Sequence, residues 1–406
     1  MRFANGYAAL PRCTPSRAAL LTGKSPAQLH MTFVGEGKRD TVETIATRMI
    51  PPTCVLELPD AEITIASVLK KSGYATAHFG KWHLGRTSPS KHGFDESDGA
   101  TNNGGPENVN SPNPKEAFGM ADRGMAFMAK QVAAKKAFYV QLSQYAARGP
   151  DGARKETLDF YMKRAGVTDA SPASLKRLQV IEAAVIEDMD TTIGMLLNKL
   201  DDLGIANNTY VIYTSDHGAQ GRNANTPLLS GKGNVFEGGI RVPFLIKGPG
   251  VKASVCSHTP VIGFDLFPTI AELAHSSVQM PTGVEGGSLV PLFASGTGEV
   301  KRSRSELYFH FPHYDHDNEG PASAVIAGNM KLIKVYETGA SRLYDLAKDI
   351  NEAHDLAKDQ PQKISELEGK LDAYLKSINA QMPTPNPNYD PAKLPDTVKK
   401  NKVKAD

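Results

Sequence analysis

Pro11-Arg12-Cys13-Thr14-Pro15-Ser16-Arg17-Ala18-Ala19-Leu20-Leu21-Thr22-Gly23 is the stretch from which the rest of the chain is read. Thr14 suits an N-cap, Pro15 the first helical position, and Gly23 the left-handed residue that closes a helix. The helix so predicted leaves Cys13 just outside its N-terminus, where unpaired N–H groups and the macrodipole favour negative charge. Arg17, near the first turn, can aim its guanidinium at the same point, a pairing suited to a tetrahedral oxyanion. The competing reading is a Cys packed inertly beside a capped helix.

Outward from this stretch, strands and helices alternate. Residues 64–71 predict a helix ended by Gly73, and 74–79 a short buried strand whose end delivers Lys81 and His83. On extended backbone these two side chains face the same way. A helix over 123–132 leads to a strand over 138–143, and apolar residues from Leu178 to Leu200 at helical spacing mark a long helix over 174–203. A strand over 210–214 runs into Ser215-Asp216-His217-Gly218; another strand covers 242–246 and a helix 267–275. Residues 24–60 and 87–120, rich in Gly, Pro and polar types, read as surface loops.

Such alternation predicts an α/β fold, a mostly parallel sheet with helices on both faces. Ligands gather beyond the carboxyl ends of strands in these sheets, so Lys81, His83, Arg148, Asp216 and His217 are expected on one rim. From about residue 304 short strands separated by turns, then a helix, predict a smaller antiparallel subdomain over 304–380, with an irregular tail over 381–406.

The 406 residues carry 46 Lys and Arg against 44 Asp and Glu, a net charge of +2 that argues against a dedicated nucleic-acid surface. Cys13, Cys54 and Cys256 make neither a disulfide framework nor a zinc spacing, and no apolar run is long enough to span a membrane.

Cys13-Thr14-Pro15-Ser16-Arg17 with the following Ala18 to Gly23 resembles the first signature of the type I, formylglycine-dependent sulfatases. Gly73-Tyr74-Ala75-Thr76-Ala77-His78-Phe79-Gly80-Lys81-Trp82-His83-Leu84-Gly85 resembles the second. The resemblance implies an alkaline-phosphatase-like fold, with 1–303 as the catalytic domain, and hydrolysis of an aryl or carbohydrate sulfate ester. It implies that a maturation enzyme oxidises Cys13 to formylglycine, that Lys81 holds the resulting hydroxyl, and that His83 acts as its base or hydrogen-bond partner. It further implies that Lys232 binds the sulfate and leaving oxygen, and that Asp216, His217 and residue 13 ligate calcium in preference to magnesium. Glu237-Gly238-Gly239-Ile240-Arg241-Val242-Pro243 matches the family's run after that Lys.

Two departures stand out. Arg148 occupies the place where many sulfatases have a His that protonates the leaving group; Arg can bind sulfate but is no proton donor near neutral pH, so either Lys232 or His83 takes that role, the leaving group needs no acid, or turnover is impaired. Family members also carry a strand ending in two adjacent Asp residues upstream of the Cys, whereas the first Asp here is Asp40. The expectation is a chain clipped at its N-terminus, with two metal ligands and an export signal lying upstream and a periplasmic or secreted location. His310 and His313 either belong to an aromatic cluster or overhang the pocket and contact a sugar or aryl group. The rivals are a phosphoester or phosphonate hydrolase on the same architecture and a non-catalytic sulfatase-like protein. A thiol phosphatase is disfavoured, because phosphate-loop thiol enzymes use a longer Cys-to-Arg spacing.

Overall fold

The Cys13–Thr22 helix starts two residues earlier than an N-cap at Thr14 predicts. The computed structural model describes residues 1–35, 47–102, 112–146, 152–167, 175–220, 224–315 and 318–390, so Arg148 and the tail beyond 390 lie outside the described residues. Arg12, extended at φ −145°, is the N-cap residue and gives no side-chain cap, so Cys13 is the first residue of the helix and not a neighbour outside it. Thr14 does not cap; its hydroxyl donates to the His83 carbonyl at 2.8 Å. Ser16 closes the entry instead, its hydroxyl bonding both the N–H and the carbonyl of Leu10. Gly23 ends the helix at φ 71° as expected.

Two sheets bring chemistry to this helix. Ala75–Gly80 pairs in parallel with Glu96–Ser97 on one side and Phe138–Ser143 on the other. Val211–Thr214 pairs with Phe244–Lys247, which continues through Arg2–Phe3 to Cys256–Ser257; the first two of these pairings are antiparallel and the last is parallel. The Ala117–Ala133 helix starts earlier than expected because Ala117, Met120 and Ala121 are buried. It packs on Phe138–Ser143 and on the long Leu175–Asp202 helix. A helix over Lys155–Ala165 was not legible, since its charged residues leave little apolar period. The start of the segment after the first helix is no surface loop, since Leu29, Met31 and Thr32 are buried, whereas most of 47–60 lies at the surface as expected.

Leu307–Phe311, Ala322–Ala327, Met330–Val335 and Ser341–Asp345 form an antiparallel sheet in sequence order. Side-chain alternation gives it two apolar faces. Val325, Leu332 and Leu343 meet Leu367 and Leu371 of the Pro361–Ser377 helix, while Phe309, Ala324 and Ile333 join Tyr7, Ile240 and Ile262. The sheet is thus cemented between its own helix and the residues around the first. Thr384–Pro385 pairs with Met49–Ile50, which anchors the start of the expected irregular tail. Among the described residues, no helix is long and apolar enough to cross a membrane.

Candidate active site

Cys13 is fully buried, and its Sγ lies 3.1 Å from Nε2 of His217. His217 reaches it because Val211–Thr214 ends just before Asp216-His217. The other ring nitrogen, Nδ1, is 2.7 Å from the Gly218 carbonyl. A carbonyl only accepts, so Nδ1 carries a proton and Nε2 is the atom left to exchange one with residue 13. Burial, the largest influence, and the charge of Asp216 both push the Cys13 thiol up; the charge of His217 and hydrogen bonds from His217 and His83 outweigh them and hold it well below the usual range.

Asp216 is the electrostatic centre. Its Oδ2 accepts from Arg17 Nε at 2.9 Å and lies 3.8 Å from Lys81 Nζ, while Oδ1 is 3.4 Å from His217 Nε2. Burial raises this carboxyl, yet the charges of His217, Arg17 and Lys81 hold it far below the usual carboxylate range. Arg17 also donates from Nη1 to the Lys81 carbonyl at 2.5 Å, tying the helix to the end of Ala75–Gly80. It therefore braces two strand ends as well as facing the anion position.

Lys81 and His83 are both nearly buried. The extended alternation expected for them does not hold: His83 adopts φ 57°, and its N–H donates to the Thr101 carbonyl at 2.8 Å. A bend, rather than a two-residue period, delivers both. Lys232 sits in a loop laid against the helix entry, with the next residue, Gly233, donating to the Pro11 carbonyl at 2.9 Å. His310 is buried in the C-terminal sheet, its Nδ1 2.6 Å from Ser323 Oγ and its Nε2 2.9 Å from the Gln381 carbonyl. His313 is buried against Phe33 and Phe311, with Nε2 2.7 Å from Thr32 Oγ1. Both are buried among these contacts. Asp315 and Asn318 were missed: Asp315 pairs with Arg12, and Asn318 donates to the Gly233 carbonyl at 3.2 Å, so a C-terminal loop borders the site.

Cys13 Sγ, an Asp216 oxygen and a His217 nitrogen lie within 4.8 Å of one another. Calcium takes roughly six to eight oxygen donors. The described residues supply one carboxylate, one imidazole and the atom on residue 13, and that carboxylate already faces Arg17 and Lys81. This set does not fit a calcium shell by itself. Arg17 and Lys81 beside the positive end of a helix are the residue types that favour an anion.

In this α/β fold a buried Cys at a helix N-terminus is thus surrounded by Arg17 of its own helix and by Lys81, Asp216 and His217 beyond strand ends, residue types that suit a tetrahedral oxyanion. The sulfatase family model matches residues 1–276, and the model of the N-sulphoglucosamine sulphohydrolase C-terminal region matches 230–381. The chain belongs to the sulfatase family. It is 33% identical to N-acetylgalactosamine-6-sulfatase of Homo sapiens over 323 residues, covering 72% of this chain and 59% of that protein, so it spans about three fifths of that relative's length. The crystal structure of Ps i-CgsB in complex with k-i-k-neocarrahexaose superposes with a TM-score of 0.76 at 22% identity, covering 99% of this chain and 89% of that one. A structure in complex with its substrate D-glucosamine-2-N,6-O-disulfate gives 0.70 at 20% identity, covering 93% and 90%. These likenesses establish the alkaline-phosphatase-like fold.

Proposed function

We propose that this chain hydrolyses a carbohydrate sulfate ester, using a nucleophile made from Cys13. The observation that carries the reading is the approach of His217, Asp216, Arg17 and Lys81 to a buried Cys at a helix N-terminus. The relatives' own sulfated sugars supply the substrate class. Oxidised to formylglycine by a partner enzyme and hydrated, residue 13 supplies one hydroxyl to attack sulfur and a second whose deprotonation expels sulfate and restores the aldehyde. An unmodified thiol has no such second hydroxyl.

The chain's own groups do the rest. His217, 3.1 Å from the position-13 side chain, and His83 take and return the protons of that residue. Arg17, Lys81 and the helix N–H groups neutralise charge building on the equatorial sulfate oxygens, in a site where burial strengthens each interaction. Lys232 or His83 protonates the departing sugar hydroxyl.

The test is a panel of sulfated oligosaccharide, aryl sulfate and aryl phosphate, given to protein co-expressed with a formylglycine-generating enzyme. Faster sulfate release from the sugar is the expected result. Faster phosphate release would transfer the reading to a phosphoester hydrolase, and no turnover of any ester by fully converted protein would end it.

A further inference from the structure

Lys331 lies on Met330–Val335 with its side chain fully buried, on the face it shares with Ile333 and Val335. Its Nζ is 2.9 Å from Glu237 Oε1 and 2.8 Å from Glu352 Oε1. The second Glu352 oxygen accepts from the Glu237 N–H at 2.7 Å. Glu237 Oε2 accepts from Arg241 Nε at 2.7 Å and from the Tyr7 hydroxyl at 3.1 Å. Arg241 donates onward to Tyr7 and to Asn5 Oδ1, at 3.0 and 2.8 Å. Burial pushes both carboxyls up. For Glu237 the Lys331 and Arg241 charges outweigh it; for Glu352, where the Glu237 charge adds to burial, the Lys331 charge does not, and it stands at about 6.

This cluster is remote from the reacting atoms but joined to them by backbone. Glu237 opens the Glu237–Ile240 turn. The Gly239 carbonyl accepts at 2.9 Å from Gly218, the residue after His217, and Gly238 donates to the Leu229 carbonyl at 2.9 Å. Lys232 donates to the Ala219 carbonyl at 3.0 Å. There is no slack among these strands of chain. A Cβ on Gly218 would stand 1.8 Å from the Gly238 carbonyl oxygen, one on Gly238 2.2 Å from that of Ser230, and one on Gly239 1.9 Å from that of Asn234. Backbone packed this closely passes a displacement on instead of absorbing it.

We propose that Lys331 and Glu352, from the C-terminal sheet and the segment after it, are positioning residues for the active site. They fix the Glu237–Ile240 turn, and through it the backbone that carries His217 and Lys232. The C-terminal region is then part of the site's geometry as well as of the core.

The test substitutes Lys331→Met and reads amide hydrogen exchange and, resting on the sulfatase reading, kcat and KM on a sulfate ester. The expected result is exchange accelerated in 216–219 and 229–240 by at least about tenfold more than in the Ala117–Ala133 helix, which reports the general loss of stability. With it, kcat falls on the order of a hundredfold and KM stays within about threefold, the mark of misplaced reacting groups. Lys334→Met is the control: Lys334 is on the same strand but pairs with exposed Asp372. If Lys331→Met does not fold, Glu352→Gln, of equal size, carries the same measurements. Unchanged exchange in 216–240, or equal acceleration in the remote helix, overturns the proposal. Should the wild type turn over no sulfate ester, the sulfatase reading fails while the exchange arm still decides this one.

Discussion

Two buried charge clusters lie on either side of the Glu237–Ile240 turn, and they are balanced differently. In the inner cluster, Glu237 and Glu352 face Lys331 and Arg241, two negative groups against two positive. In the site, the carboxylate of Asp216 faces two cations, Arg17 and Lys81, beside His217 and a buried Cys13 whose thiol is held well below its usual range. In the first, removing a member leaves a charge buried without its counterpart. The second pairs its charges with a perturbed thiol, the kind of grouping that clusters at functional sites.

The contrast can be broken at several points. Cys13→Ala is expected to lower sulfate-ester turnover by at least about a thousandfold while leaving the urea unfolding midpoint near wild type, because the residue acts in the reaction and not in the packing. A large stability loss with activity retained would reverse the assignment. Lys331→Met should add to its fall in kcat a loss of about 3–5 kcal/mol in equilibrium unfolding, as for any buried pair deprived of one partner. A cost near zero would mean the inner cluster holds nothing together. Lys81→Met should lower kcat roughly a hundredfold, as when one donor to a developing oxyanion is lost. Its unfolding midpoint should stay much closer to wild type than that of Lys331→Met, because Asp216 keeps Arg17.

The smallest effect is a pH dependence. Glu352, raised to about 6 by burial, favours its protonated form in the folded chain. Its favourable contribution is therefore full below the ordinary glutamate value and is lost as pH rises through about 6. Relative to Glu352→Gln, the wild type should lose unfolding free energy across that window. A flat difference between the two would contradict the raised value.

Much of the site was legible because its residues follow strand ends or open a helix. Cys13, Arg17, Lys81, His83, Asp216 and His217 come together by rules of local structure and sheet topology. The helix start was misplaced because Thr14 satisfies His83 across the fold instead of its own helix, a tertiary bond that local capping preference cannot anticipate. The inner cluster was not read at all, although its signal was present: Lys331 stands on the same face of its strand as Ile333 and Val335, and a Lys among core residues asks for a buried partner. One of the carboxylates that answers, Glu237, lies 94 residues away, beyond any local pattern. His310 illustrates the converse, an aromatic-rich stretch whose polar atoms are taken up by Ser323 and Gln381.

The most direct test is peptide mass spectrometry across residue 13, on protein made in a host that contains a formylglycine-generating enzyme. The account predicts that the tryptic peptide spanning Cys13 carries the mass of the aldehyde or its hydrate. An intact thiol in all of the protein would contradict it.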